Sequence, residues 1–332
     1  MGEWVPDVLG RPFEQRTLSL GVEATEEGEH ELVATLVRYR RAPRLSLAAP
    51  ARGVDVLYVH GWSDYFFQTE LAEFWHRQGA RFYALDLRRY GRSLRDGQTP
   101  GFITDLSAYD QDIAAALGAM GHPLEPGRRS ARRLVLMGHS TGGLTLSLWA
   151  ARHRGVASAL VLNSPWLEFQ AGSWGRDVLQ PLVDLHARVA PKGRLPGVDL
   201  GFYTRSVSAA EQGEWVYEPR WRPARGFSLH PAWLRAVLAG HERVARGLGL
   251  DIPVLTMLSG RSTISATWSA AMLSSDVVLD VDETAARSTR LGSRVTVTRF
   301  DGALHDVLLS KEHIRRDAYA AIERWLPYAF SR

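Results

Sequence analysis

Residues 134–148 read LVLMGHSTGGLTLSL, and the reading of that stretch decides the fold. Leu134 to Met137 are consecutive apolar residues that run into Gly138, His139, Ser140, Thr141 and Gly142, after which Leu144, Leu148 and Trp149 recur at helical spacing. The pattern predicts a strand, a tight turn and a helix. Gly138 and Gly142 bracket the serine as G-x-S-x-G, in which the glycines let the backbone pass close to strand and helix and hold the central hydroxyl in a strained, outward-pointing position. Five letters arise by chance in many chains; the apolar strand before and the amphipathic helix after give them weight. Ser140 is the candidate nucleophile. At a helix N-terminus, first-turn N–H groups favour the negative charge that develops during acyl transfer.

Outward from this turn, the chain alternates buried strands with amphipathic helices. Strands are predicted over Val54 to Val59, Arg81 to Leu85, Ala157 to Leu162, Ile252 to Leu258 and Arg294 to Phe300. Phe67, Leu71, Phe74 and Trp75 mark a helix stopped by Gly79. Leu106, Tyr109, Ile113, Leu117 and Met120 mark another, and Ile314, Ala318, Ile322 and Trp325 a closing one. TLSL at 17–20 and ELVATLVRYR at 31–40 read as an antiparallel pair at a sheet edge. The class is α/β, with a mostly parallel central sheet flanked by helices. Ligands of such sheets sit outside the carboxyl ends of the strands.

From Pro165 to about Leu250 the pattern changes: Trp166, Trp174, Trp215, Trp221 and Trp233 fall among prolines, with no run that reads as a core strand. This predicts an inserted helical cap over the strand ends, splitting the chain into core (1–164), cap (165–250) and core (251–332). The cap's aromatics suit its own packing and, collectively, an apolar substrate pocket.

The 332 residues are 45% hydrophobic, enough for a large core. Forty basic residues against 36 acidic ones leave a small excess, so Arg88-Arg89 and Arg128 to Arg133 read as solvated loop faces and no nucleic-acid partner is expected. Without cysteine there is no disulfide framework or sulfur-based zinc site. Neither a clustered His/Asp set nor a phosphate-binding glycine loop occurs, so no metal and no cofactor is expected. The N-terminal residues lack a signal-like apolar stretch, and no run of about 18 apolar residues occurs, so a cytoplasmic protein without stable membrane insertion is expected. Oligomeric state is not encoded.

A serine hydroxyl needs a base to take its proton and a carboxylate to fix that base's tautomer. His305 is the best-placed base, in the loop Asp301 to Asp306 after the last predicted strand. His60 and His139 do not follow from that logic and are read as structural.

Four motifs carry a resemblance: HGW at 60–62, DLRRYGRS at 86–93, GHSTGG at 138–143 and GALHDVLLS at 302–310. With them the chain resembles α/β-hydrolases of the monoacylglycerol lipase, lysophospholipase and serine aminopeptidase-like group. The likeness covers the two core segments and not the cap, and Arg89 stands where the group usually has glycine. It implies Ser140 as nucleophile, His305 as base and, in SSDVVLD, Asp276 as the acid, with Asp280 and Asp282 as alternatives. The group's acid usually follows the strand matching 252–258 within a few residues, whereas here RSTISATWSAAMLSS intervenes. Resemblance and geometry together place the oxyanion hole at the backbone N–H groups of Trp62, after Gly61, and Thr141. Trp166, Phe169 and Trp174 are assigned to the substrate pocket.

The expected activity is cleavage of a small-molecule carboxylic ester with a single acyl chain, monoacylglycerol- or lysophospholipid-like, through an acyl-enzyme. Two alternatives stand beside it. One is an aminopeptidase, which needs a cap carboxylate such as Glu168, Glu211, Glu214 or Glu218, all read as surface residues. The other is a non-catalytic ligand-binding receptor of the same fold.

Overall fold

The computed structural model describes residues 2–25, 28–41, 49–124, 130–169, 181, 183–195 and 200–331. Its centre is the pairing of β4 (Val54–Val59) with β6 (Arg133–His139), parallel and in register from Val54 opposite Arg133 to Val59 opposite Gly138. Both strands are apolar on both faces because both faces are covered. Leu57, Val59, Leu134 and Leu136 pack on one side with α2 (Tyr109–Met120), α3 (Thr141–Arg152) and the helix Pro231–Ala245. Val56, Tyr58, Val135 and Met137 pack on the other with α1 (Thr69–Arg77) and the helix Glu312–Phe330. Each fully buried aliphatic side chain of this kind contributes about 1.5–3 kcal/mol.

Among the described residues, nine strands form one sheet in the order β1-β2-β3-β5-β4-β6-β7-β8-β9. Here β1 is Val5–Pro6, β2 Phe13–Thr25, β3 Gly28–Tyr39, β5 Arg81–Asp86, β7 Ala159–Asn163, β8 Val254–Ser259 and β9 Val295–Phe300. Pairings from β5 to β9 are parallel, and those from β1 to β5 through β3 are antiparallel. The parallel strands therefore all end at one edge. The hairpin β2/β3 is longer than TLSL and ELVATLVRYR suggest, with a register shift between Ser19 and Val22.

Phe67 is a correction: α1 begins at Thr69, and Phe67 packs in the extended entry against Tyr65, Trp215 and Tyr217. Leu106 lies in a short 3-10 turn ahead of α2. Arginines expected on solvated loops are also corrected where described. Arg88 is buried against Asp112, with Nε 2.8 Å from its carboxylate, and Arg89 is buried between Glu23 and the Phe102 carbonyl. Charge runs leave the periodicity of the chain untouched, so only the tertiary partners reveal them.

Arg132 joins a cluster at the opposite end of the sheet from the serine. Asp55 of β4, fully buried, accepts from Arg132 Nε at 2.5 Å, Arg81 Nε at 2.7 Å and His122 Nε2 at 2.9 Å. Burial alone would raise this carboxyl's pKa, but the cationic donors outweigh it and hold it at about 2. The native state thus binds fewer protons than the unfolded chain. The stabilisation is complete above the unfolded value near pH 4 and fades as pH falls through about 2. Asp55→Asn is expected to cost roughly 2–4 kcal/mol at pH 7, because the guanidiniums lose their counter-charge. Urea midpoints measured at pH 7, 4 and 2.5 should show the gap to the parent narrowing at the lowest pH. A constant gap contradicts this account.

Candidate active site

Ser140 ends β6 and opens α3 with φ 50° and ψ −119°, a left-handed conformation that costs a non-glycine residue of order 1–3 kcal/mol. The turn holds because its neighbours are bare. A β-carbon on Gly142 would collide with the His60 carbonyl, and one on Gly138 would lie 2.7 Å from the Gly142 backbone. Gly61 crosses above, where a β-carbon would come to 3.0 Å from Ser140 Cβ. Ser140 N–H donates to the Asn163 carbonyl at 3.1 Å, and its own carbonyl accepts from Trp166 N–H at 3.0 Å. The serine is thereby fixed to the end of β7.

His305 lies in the loop after β9, buried, with Nδ1 2.9 Å from Asp276 Oδ2. A proton on Nδ1 directed at this carboxylate leaves Nε2 free to accept one. Asp276 Oδ1 in turn accepts from the N–H groups of Val278 at 2.7 Å and Leu279 at 2.8 Å. Asp280 instead caps the helix Val281–Ser288, and Asp282 is exposed and paired with Arg299. The long interval after β8 has a simple geometry: the chain leaves at Gly260, makes an excursion, and returns so that Ser262 bridges Asp276. Ser275 Oγ closes the excursion on Thr263 Oγ1 at 2.8 Å. Thus sixteen positions after Gly260, Asp276 is back at the strand end.

The His305 loop is stapled from beneath by groups that sequence reasoning passed over. The Asp306 carboxylate accepts from Asn163 Nδ2 at 2.5 Å, Leu308 N–H at 2.9 Å and Gln68 Nε2 at 3.4 Å. Val307 N–H donates to Asn163 Oδ1 at 3.1 Å. The break Asn163-Ser164-Pro165 in the sequence signals the strand end but not this partner.

Around the serine, the Trp62 and Thr141 N–H groups have no hydrogen-bond acceptor among the described residues. His60 bridges the Gly61 carbonyl at 2.8 Å and Leu87 N–H at 3.1 Å, and burial lowers its pKa. The His139 ring lies 4.9 Å from that of His305, its Nδ1 3.0 Å from the Asn163 carbonyl, and burial lowers its pKa too. Both rings are packed and bonded as neutral groups. Arg89, where glycine is usual, adopts a positive φ of 64°, a conformation that glycine takes without strain.

Between β7 and β8 the described residues add no strand to the sheet; they include the helices Phe202–Val207 and Pro231–Ala245. Trp166 packs beside Trp233 and His241, and Trp233 lies 3.8 Å from Trp62, centroid to centroid. Phe169 is half-buried three residues on. Trp174 falls outside the described residues. Tyr203 meets the His305 ring edge-on at 5.3 Å, and Arg222 reaches Asp64 through Nε at 3.2 Å. Glu168, expected at the surface, is buried and paired with Arg287. Glu214 pairs with Arg315 at 2.8 Å. Among the described residues no three His, Cys, Asp or Glu side chains cluster as metal ligands, and no helix is long and apolar enough to cross a membrane.

This arrangement can be set against known proteins. A monoacylglycerol lipase of Mycolicibacterium smegmatis is 37% identical over 117 residues, 34% of this chain. That match spans only 38% of the relative's length. A soluble variant of monoglyceride lipase from Saccharomyces cerevisiae superposes with a TM-score of 0.63 at 15% identity, covering 95% of this chain and 96% of that one. The monoacylglycerol lipase of Paleococcus ferrophilus gives 0.59 at 18%, covering 83% and 94%. At such identities the superpositions establish the α/β-hydrolase fold. The model of the family described as "Serine aminopeptidase, S33" matches residues 50–312, and the chain belongs to that family.

Proposed function

We propose that the protein is a serine hydrolase of carboxylic esters carrying a single acyl chain. Ser140 attacks the carbonyl, and His305 accepts its proton and returns it to the leaving oxygen. Asp276 fixes the imidazole, and the N–H groups of Trp62 and Thr141 hold the oxyanion. The observation that carries the reading is the 2.9 Å contact of His305 Nδ1 with Asp276, the His305 ring lying 4.9 Å from that of His139, the residue before a Ser140 in strained backbone. The described residues between Pro165 and Leu250 act as a cap over these strand ends, with Trp166 and Trp233 forming an apolar wall next to Ser140. The single-chain ester substrate follows the named activity of the monoacylglycerol lipase relative.

An aminopeptidase needs an unpaired carboxylate for the substrate's ammonium group. Of the four candidates, Glu168 and Glu214 are paired with Arg287 and Arg315, and Glu211 and Glu218 lie exposed at the surface, which favours the ester reading. Purified protein offered p-nitrophenyl acyl esters beside amino-acid p-nitroanilides should turn over the esters faster. Faster release from the anilides reverses the assignment.

A further inference from the structure

The helix Phe202–Val207 has two working faces. Tyr203 and Val207, four positions apart, turn to the core: Tyr203 meets the His305 ring edge-on at 5.3 Å, and Val207 is fully buried with Leu304 and Leu309. Phe202 and Arg205, three positions apart, turn to the excursion between Gly260 and Asp276. There the Trp268 ring lies 5.7 Å from that of Phe202, centroid to centroid, and the Arg205 guanidinium sits 4.2 Å over it. From Ile264 to Ala271 the excursion is exposed except at Trp268, which is half-buried. The segment that delivers the candidate acid thus also grips the helix lying on the candidate base.

The two attachments of this helix differ in kind. Beyond its C-terminal end the chain is bonded to the core: Trp215 N–H donates to the Val207 carbonyl at 3.0 Å, and its indole N–H donates to the Leu309 carbonyl at 2.8 Å. Toward Trp268 the contacts are a ring against a ring and a cation over a ring, which are weaker and non-covalently exchangeable with water. The closed arrangement also leaves Arg205 Nε and the Tyr203 hydroxyl buried without hydrogen-bond partners. Such groups oppose burial, and water satisfies them once the helix swings out. Trp268 therefore holds the helix shut against polar groups of the helix itself.

We propose that Trp268 is a specificity-determining latch: its grip on Phe202 and Arg205 keeps the helix Phe202–Val207 closed over His305, and its release admits large esters more than small ones. The inference rests on the ester-hydrolase reading. The His305 side chain is 3% exposed. Among the described residues, Tyr203 is the ring that the cap lays on it, while His139 and Asp276 meet it from the core. An ester whose leaving oxygen takes its proton from His305 has to reach this ring, so Tyr203 and its helix move aside.

The sign of the effect follows from the two states. Only the open state takes a large ester, so apparent specificity for that ester scales with the open population, and a weaker latch raises it. A small acyl group needs less displacement and gains less. A residue that merely packs the excursion predicts otherwise: its loss lowers turnover of both esters together.

The test compares kcat/KM for p-nitrophenyl decanoate and p-nitrophenyl acetate in the full chain, as the parent, Trp268→Ala and Arg205→Gln. Trp268→Ala should raise the decanoate-to-acetate ratio about fivefold, and Arg205→Gln about threefold. Arg205→Gln loosens the latch from the helix side without touching the segment that carries Asp276, so it decides the matter if Trp268→Ala melts far below the parent. The opposite change is made by locking. The chain has no cysteine, so Phe202→Cys with Trp268→Cys supplies two thiols that a short bismaleimide can join. Joining them should lower decanoate turnover about tenfold or more relative to the unlinked double variant, while the same reagent on either single variant should not. Ratios within about twofold of the parent or below it in the loosened variants, or a linked protein that keeps its decanoate turnover, overturn the latch alone. A parent that turns over neither ester overturns the hydrolase reading, and the latch with it.

Discussion

Ser140→Ala is expected to lower ester turnover by about 10⁴-fold or more and to abolish covalent labelling by a fluorophosphonate. The size of the effect follows from chemistry with no substitute: once the hydroxyl is gone, His305 has no nucleophile to activate, and only transition-state binding and water remain. Alanine removes one oxygen and keeps the β-carbon, so the strained turn at φ 50° and its bonds to Asn163 and Trp166 survive. The melting temperature should therefore stay within a few degrees of the parent's. Intact-protein mass spectrometry should show one adduct on the parent and none on the variant. If the parent takes no label, the ligand-binding receptor is the better reading. A variant that still labels moves the nucleophile elsewhere.

The second large effect is expected at Asp276. Asp276→Asn keeps the shape of the side chain but turns an N–H donor toward His305 Nδ1, driving the imidazole proton onto Nε2, where it blocks acceptance from Ser140. A loss of about 10⁴-fold in kcat near neutral pH is expected. Asn retains an oxygen for the N–H groups of Val278 and Leu279, so the excursion that carries residue 276 should keep its closure. Asp280→Asn and Asp282→Asn are the controls, because one caps a helix and the other pairs with Arg299 at the surface. Both should stay within about twofold of the parent's activity, since exposed pairs and a retained cap contribute little. A large loss at either, with Asp276→Asn active, moves the acid and refutes the geometry argued above.

Much of the candidate site is legible in the chain because its signals are local. G-x-S-x-G between an apolar run and a helix carries the steric need for glycine on its face, and the structure shows that need at Gly138 and Gly142 as near-collisions. His305 was legible from its place after the last strand. The proposed acid, Asp276, was harder, since the segment after Gly260 carries it in a stretch without periodicity. Only the bridge from Ser262 to Asp276 shows why it arrives where it does. Arg89 looked like a departure from the motif, yet its backbone takes the conformation glycine would take, and Glu23 and Phe102 hold its side chain.

The sequence by itself determined the alternation of strand and helix, the parallel core and the turn bearing Ser140, because apolar periodicity and glycine placement act over a few residues. Tertiary structure alone decided the pairings across long separations: Asp276 with His305, Asp306 with Asn163, Asp64 with Arg222, and the buried arginines with their carboxylates. Those contacts depend on where strand ends converge and on what is excluded from water there. A charged residue reads the same along the chain whether it faces solvent or is buried against its partner.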